Sequence, residues 1–384
     1  MSHATSINVA AGPVAPADVE RTGPGTLAGR YLRRFWHPIL IASKLQVNKA
    51  KPIHALGESF TLYRGSDGTP RLTDFRCPHR GTQLSTGTVE GDSIRCYYHG
   101  WRFDGAGKCV EQPGEPQPFL DKVKLRAYPV EEYLGLIFCY LGDGSPPPLP
   151  RYQQFEPEGA IVQSEYVREC NYFQNMENSV DEVHVAFTHR TTALDALNFA
   201  VPRIEVEETD YGLVQYGIRT DNKKRKTHFV MPNILVMQLP PERPEETGWR
   251  DYVSWRVPID DNKHMSFLVQ HTKVNGATRE EFLERWQRNA HLTPTAEEAA
   301  RGILAGELDF SDFEGRPDLP VIQDHVTQIG QGAIADRSAE HLGRSDIAIV
   351  RLRRIWRREL QALADGKPLN EWKALRDFEV LSGV

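Results

Sequence analysis

The chain has 384 residues, 40% of them hydrophobic and 26% charged, with a formal net charge of −6. That is the makeup of an ordinary globular protein, too long for one small module and long enough for two domains. The balance excludes the basic footprint of a nucleic-acid binder, and no run approaches the roughly eighteen apolar residues that span a membrane.

In chain order, Met1 to about Pro24 lacks the basic-then-apolar pattern of a signal peptide, and its Ala, Gly, Pro and Ser content reads as a mobile tail. From Thr26 to about Leu45, the apolar positions Leu27, Tyr31, Phe35 and Trp36 predict a short amphipathic helix that Pro38 ends or turns. Residues 51–75 alternate short β-prone runs with Gly57, Gly65 and Gly68, the pattern of an antiparallel sheet with tight turns. Gly105 and Gly107 mark a hairpin, and Tyr133–Leu141 reads as an apolar strand. Gly142 to Pro150, with three consecutive prolines, reads as a linker. The chain therefore divides into a tail (1–24), a first domain (25–150) and a second (151–384).

After the linker, β-prone runs recur at Ile161–Arg168, Val201–Val206, Tyr211–Thr220, His228–Leu239, Tyr252–Val257 and His264–His271. They predict one larger, mostly antiparallel sheet. Helical patterns at Cys170–His189, Thr278–Ala290 and Glu340–Ala364 flank it, so the fold class is α+β, an all-β first domain followed by a sheet with helices. The last helix carries Arg351, Arg353, Arg354, Arg357 and Arg358 on a face taken as solvated or partner-facing, with Ile347, Val350, Leu352 and Ile355 on the packed one. Of five cysteines, Cys109, Cys139 and Cys170 follow no ligand spacing and read as buried thiols in a reducing cytoplasm.

Two stretches carry chemistry. The first is Cys77-Pro78-His79, then sixteen residues, then Cys96-Tyr97-Tyr98-His99. Structural zinc sites use the same donors but space them Cys-x2-4-Cys and His-x3-5-His. Two Cys-His pairs suit a [2Fe–2S] cluster with two thiolates on one iron and two imidazoles on the other. Gly81, Gly87, Gly91 and Gly100 supply turns, and Arg71–Phe75 and Ser93–Tyr97 read as strands feeding the loops. Pro78 and Gly81 would stiffen the first loop and bring backbone amides to the cluster sulfurs.

The motif, with Arg80-Gly81 after the first pair and Gly100-Trp101 after the second, resembles that of Rieske proteins. In particular it resembles the Rieske non-heme iron oxygenases, the terminal components that hydroxylate or dealkylate aromatic compounds. The cluster loops alone do not separate an oxygenase from a Rieske ferredoxin.

The second stretch, Glu177 to His189, decides between them. Asp181 and His184 lie at i, i+3 and share a helix face. His189 lies about 140° from His184 on a regular helix, so both imidazoles meet one metal only if the helix bulges or ends between them. Asn178, Asp181, His184 and His189 match the oxygenases' Asn-x2-Asp-x2-His-x4-His pattern, so the resemblance covers both halves of the chain. It implies that His184, His189 and a later carboxylate hold Fe(II). It also implies that Asp181, with Asn178 in the same motif, serves catalysis, the Asp181 carboxylate bridging by hydrogen bonds a ligand histidine and a cluster histidine of a neighbouring subunit. The third ligand is expected at Asp324, inside Val321–Val326, where the segment resembles that of phthalate-dioxygenase-type enzymes. A helix-capping role for Asp324 is the alternative. The acidic stretch Glu307, Asp309, Asp312 and Glu314 reads as a surface segment, with Leu308, Phe310 and Phe313 turned inward.

The resemblance implies electrons arriving at the cluster from a separate NAD(P)H-dependent reductase, with or without a ferredoxin. The chain has no Gly-x-Gly-x-x-Gly between a strand and a helix. It implies O₂ and a small aromatic substrate as reactants, and a head-to-tail homotrimer. Ring hydroxylation and O- or N-demethylation use the same iron site. Met231, Asn233, Met237 and Trp255 are candidate pocket walls or, equally, core residues, and Lys223–Lys226 either attracts a carboxylated substrate or forms a solvated turn. The other classes are an electron carrier with a scaffold half and a metal-dependent hydrolase without redox chemistry.

Overall fold

The computed structural model describes residues 14–156, 158–191, 200–219, 224–241 and 248–375. A short helix, α1 (Leu27–Leu32), leads into β1 (Trp36–Ile41), and Thr26 caps it by accepting from the Gly29 amide. The helix ends before Pro38, which lies inside β1 rather than at a helix terminus. It is tolerated there because β1 is an edge strand and its pairing shifts register between Pro38 and Leu40. Next come β2 (Lys49–Ala55), β3 (Glu58–Arg64), β4 (Pro70–Asp74), β5 (Thr88–Glu90), β6 (Ser93–Arg95), β7 (Arg102–Phe103) and β8 (Cys109–Glu111). They are followed by β9 (Ala127–Tyr128), β10 (Val130–Tyr133) and β11 (Leu136–Tyr140). These strands form three antiparallel sheets in the orders β1-β11-β10, β2-β3-β4-β9 and β5-β6-β7-β8.

The second half begins with β12 (Ala160–Arg168), α2 (Tyr172–Ser179) and α3 (Val183–Thr188). Then follow β13 (Arg203–Glu208), β14 (Gly212–Ile218), β15 (Lys224–Val230), β16 (Ile234–Leu239), β17 (Arg250–Pro258) and β18 (His264–Thr272). They build one seven-stranded antiparallel sheet, β12-β18-β17-β16-β15-β14-β13. The predicted run His228–Leu239 is two strands, because Met231–Asn233 turns the chain and Pro232 has no N–H for a ladder. Helices α4 (Gly276–Asn289), α5 (Ala296–Leu304), α6 (Leu319–Ile329) and α7 (Ile347–Ala364) complete the fold. The periodicity left α5 and α6 unpredicted, although Thr295 and Glu298 close a capping box at the start of α5.

The large sheet is covered on both faces, so every residue of β17 is buried. Val253, Trp255 and Val257 point to one side. There they join Phe267, Phe138 and the α7 residues Leu352 and Trp356 in the core that links the two halves. Full burial of side chains this size contributes about 1.5–3 kcal/mol each. The alternate residues Tyr252, Ser254 and Arg256 point to the other side, with Leu235, Met237 and Leu268 near Tyr252.

Several expectations change. The stretch read as a mobile tail is packed over residues 14–24: the Val14 amide donates to Gln361, Thr22 to Asp261, and Val19 is buried. Residues 1–13 lie outside the described residues. On α7, Leu352, Ile355 and Trp356 form the packed face, while Ile347 and Val350 are exposed. Arg353 turns inward to Glu177 and Glu340. In the acidic stretch only Phe313 is buried; Leu308 and Phe310 stay open to solvent. Of the candidate pocket walls, Met231 and Trp255 belong to the linking core, Asn233 donates to the Arg256 carbonyl, and Met237 is on the opposite face. Lys223 lies outside the described residues, but the rest of its basic run is strand, not turn, and Arg225 is paired with Glu182.

Candidate metal centres

The two cluster loops are built alike. Arg76 and Arg95 stand immediately before Cys77 and Cys96. The Gly81 and Gly100 amides donate back to the carbonyls of Cys77 and Cys96, at 2.9 and 3.1 Å. Both glycines sit at positive φ, 77° and 75°, which a side chain would strain. Nη1 of Arg76 donates to the Gly81 carbonyl at 2.9 Å, and Nη1 of Arg95 to the Gly100 carbonyl at 2.7 Å. Each cysteine is thus the first residue of a tight loop locked from behind by the arginine preceding it.

Cys77 and Cys96 are buried, His79 is half-buried and His99 exposed. The two imidazoles lie 4.5 Å apart between centroids, and His79 stacks on Trp101 at 4.4 Å with planes 5° apart. Burial pushes the Cys77 thiol up to about 12; a backbone hydrogen bond at His79 opposes the rise and Cys96 beside it adds to it. Thiols in such a place become thiolates when a metal takes the charge. Two buried sulfurs with two imidazoles at the rim are the donor set that a Rieske cluster requires.

The iron-ligand candidates come from α3 and α6. The predicted single helix Cys170–His189 is broken at Val180–Glu182. The chain restarts as α3 before His184, and α3 ends at Thr188, between the two histidines, so that His189 is its C-cap. Asp181 makes the restart: Oδ1 accepts from the amides of Val183 and His184, at 2.9 and 3.1 Å. The Asn178 carbonyl in turn accepts from the Asp181 amide at 3.1 Å. Nδ1 of His184 bonds the Asp181 backbone carbonyl, whereas the Asp181 carboxylate stands 3.9 Å away. The carbonyl, not the expected carboxylate, orients that ring.

Nδ1 of His189 is held by Oε1 of Gln323 at 2.9 Å. Both histidines therefore present Nε2 to the same point, where Asp324 meets them from the middle of α6. Its Oδ1 lies 3.3 Å from Nε2 of His189 and 3.8 Å from Nε2 of His184. One donor atom of each residue falls within 4.8 Å of the others, the one such triple of His, Cys or acidic residues among those described. Burial pushes the Asp324 carboxyl up. Its contacts with His189 and the charges of His184 and Arg168 outweigh that and hold it below the usual carboxylate range. Burial lowers His189, but Asp324 and Gln323 raise it more. Two imidazoles and an ionised carboxylate facing one point fit a divalent iron in a facial arrangement.

Beyond these ligands, Glu182 is buried and pairs with Arg219 and Arg225, both at 2.8 Å. On the far side of α6, His325 turns to Arg168 and Tyr166, away from the three donors. Asp309 caps an exposed turn by accepting from the Ser311 amide, far from ligand duty.

Comparison with known proteins agrees with both halves. Residues 35–132 match the Rieske [2Fe-2S] domain, and residues 145–372 match the family described as LigXa C-terminal domain like. The 5,5'-dehydrodivanillate O-demethylase oxygenase subunit of Sphingobium sp. is 33% identical, over 90% of this chain and 80% of that protein. The chain is a Rieske non-heme iron oxygenase. The oxygenase is also 31% identical to the phenoxybenzoate dioxygenase alpha subunit of Ectopseudomonas oleovorans, over 89% of this chain and 84% of that one. In fold it is similar to Pseudomonas putida NdmA solved with caffeine, at a TM-score of 0.69 and 21% identity over 94% of this chain and 99% of that one. Like its relatives it is a terminal oxygenase component with a Rieske cluster and a mononuclear iron, not a bare electron carrier.

Three contributors escape a reading of the sequence: Gln323, Arg76 and Arg95. The repeated Arg-Cys dipeptide and the polar pair Gln323-Asp324 inside an apolar run were the available signals.

Proposed function

We propose that the oxygenase hydroxylates an aromatic compound at an iron held by His184, His189 and Asp324, with Cys77, His79, Cys96 and His99 holding the cluster. The convergence of Nε2 of both histidines on Asp324 carries this reading. His184, His189 and Asp324 would hold the iron, which when bound and reduced would supply O₂ activation beside the substrate. The chain's own residues set that up. The Asp181 carbonyl and the Gln323 amide fix the ring orientations, and Asp324 brings the one negative charge. We assign residues 25–150 to the cluster domain and 151–384 to the catalytic domain, a division supported by the gap between the two family matches.

Electrons come from a separate reductase, with or without a ferredoxin; solved neighbours include oxygenase–ferredoxin complexes. The working form is a head-to-tail homotrimer in the cytoplasm. Tyr97, Tyr98 and His99 are exposed around the cluster, as is Phe187 on α3, surfaces that a closed ring would bring together. Asp181 keeps 28% of its side chain open for a bridging contact. O-demethylation is the second reading, supported by the demethylase relative. A methoxy carbon hydroxylated there, with O₂ and two electrons from the reductase, would give a hemiacetal that collapses to the phenol and formaldehyde.

The test is iron content and O₂ uptake with a reductase and a panel of aryl acids, methoxyarenes and N-methyl heterocycles. The reading requires a third iron beyond the cluster's two and reductant-dependent O₂ uptake with some ring compound. Two irons per chain, or turnover without O₂, sinks it. Formaldehyde among the products selects demethylation.

A further inference from the structure

The two cluster loops share a backbone and differ in what stands behind it. In each, the cysteine amide donates to the carbonyl five residues on, Cys77 to Thr82 and Cys96 to Trp101, both at 2.8 Å. Each preceding arginine then ties down the carbonyl of the glycine. Past that bond the arginines part. Arg76 is exposed, lies over the Phe75 ring at 5.6 Å and meets no carboxylate among the described residues. Arg95 is half-buried and gripped by two. Its Nε and Nη2 donate to the two oxygens of Glu90 at 2.7 and 2.8 Å, and Nη2 donates also to Oε2 of Glu111 at 2.9 Å. Oε2 of Glu111 lies in turn 3.0 Å from Nε of Arg102. Glu90 ends β5, Arg95 ends β6, Arg102 begins β7 and Glu111 ends β8, so the contact crosses every strand of that sheet. Ion pairs this open to solvent contribute little stability, but a two-point arginine–carboxylate contact fixes direction.

The histidines differ in the opposite sense. His79 lies flat on Trp101, which is buried and packs edge-on to Phe119 with centroids 5.5 Å apart. His99 is exposed; its ring neighbours are His79 and Tyr98, and Tyr98 is itself 55% exposed. Packing therefore sets one ring and leaves the other to its backbone. The spacing agrees. His99 stands immediately before Gly100, so the carbonyl that Arg95 holds belongs to its next residue, whereas Arg80 separates His79 from Gly81. The stiffer clasp stands behind the histidine with the less packing.

We infer that Arg95, steered by Glu90 and Glu111, is a positioning residue for the exposed cluster histidine, His99, acting through the Gly100 carbonyl, and that Arg76 has no such duty toward His79. The inference rests on the reading of Cys77, His79, Cys96 and His99 as the cluster's holders and adds what fixes the outward imidazole. With the guanidinium fork and its two acids in place, the Gly100 peptide keeps one orientation and His99 presents its ring at one angle to the rim. Arg95 and Arg102 against Glu90 and Glu111 sum to no net charge, so the clasp imposes geometry without adding charge beside the cluster.

The test uses the whole enzyme with its cluster reduced. Pulsed electron paramagnetic resonance reads the nitrogen couplings of the two histidines, and spectroelectrochemical titration reads the midpoint potential. Trp101→Leu, which removes the stacked ring, identifies the His79 coupling. In Arg95→Gln the His99 coupling spreads over a wider range while the His79 coupling keeps its wild-type value. Arg76→Gln leaves both unchanged, and Arg95→Lys, a single-point donor, spreads the His99 coupling less. Glu90→Gln combined with Glu111→Gln separates position from charge. Losing the arginine lowers the potential and losing the acids raises it, yet both spread the same coupling. Opposite potential shifts with both couplings intact overturn the proposal, because Arg95 then acts through charge alone. Equal spreading in Arg76→Gln, or spreading of the His79 coupling in Arg95→Gln, overturns it too. If Arg95→Gln takes up no cluster, the lysine and double-glutamine variants decide by the same criteria. Failure of the cluster reading looks different: the wild-type enzyme then gives no Rieske spectrum and no histidine coupling.

Discussion

Replacing Gln323 with leucine tests whether the second helix of the iron site does more than carry Asp324. Oε1 of Gln323 accepts from Nδ1 of His189 at 2.9 Å, and its Nε2 donates to Oγ1 of Thr191 at 3.1 Å. His189 is 5% exposed, so water does not readily replace the amide. A leucine of similar size removes that acceptor and leaves a buried ring N–H to be satisfied, at a cost of about 1–3 kcal/mol. At about 1.4 kcal/mol per factor of ten, iron is held roughly 5- to 150-fold more weakly. That range agrees with the roughly 10–100-fold losses seen when a ligand histidine loses its outer partner. The mechanism is specific: the proton kept on Nδ1 is what leaves Nε2 free as a donor. Chelator competition for the mononuclear iron gives the dissociation constant, with the cluster absorption as internal control. Gln323→Glu, which keeps an acceptor and adds charge, holds iron at least as tightly as wild type. A leucine variant that binds iron within about twofold of wild type would refute the tautomer argument.

Asp324→Ala lowers iron to the cluster's share and abolishes turnover. Asp309→Ala, which removes an exposed cap, changes neither and leaves the denaturation midpoint nearly unchanged; reversed results would move the third ligand into the acidic stretch. Asp181→Asn retains both metal sites, because an amide oxygen still accepts from the Val183 and His184 amides. Stopped-flow reoxidation of the cluster with substrate and O₂ becomes slow, and wild-type rates would remove Asp181 from the electron path. Mixed trimers of Asp181→Asn and Cys96→Ser chains regain some activity if the electron crosses between subunits. Glu182→Gln leaves Arg219 and Arg225 facing a neutral group and destabilises the fold by about 3–5 kcal/mol, read as a shifted denaturation midpoint. A shift equivalent to less than about 1 kcal/mol would mean that solvent reaches the trio.

The local chemistry was legible because its parts are close in sequence. The cluster loops fall within 23 residues, from Cys77 to His99, and each closes on itself through a glycine four residues past its cysteine. Spacing alone could therefore announce the donor set. Likewise His184 and His189 carry their own turn. The helix end between them was foreseeable and falls at Thr188, whereas the earlier break capped by Asp181 was not, because nothing in the spacing required it.

What lay beyond the sequence is everything that depends on which way a strand or helix faces. Asp324 could be placed in an apolar run, but whether it capped a helix or reached two histidines depended on α6 packing against α3. The Gln323 contact spans 134 positions. Arg225 read as part of a solvated turn or a substrate-attracting run and is paired with Glu182; Trp255 read equally as pocket wall or core and is core. Side chains along a strand alternate faces, so a shift of one residue exchanges wall for core, and the phase is set only when neighbouring strands fix the register. Composition and spacing named the metals. Only the paired sheet, with Arg256 on one face and Trp255 on the other, decided which residues look toward them.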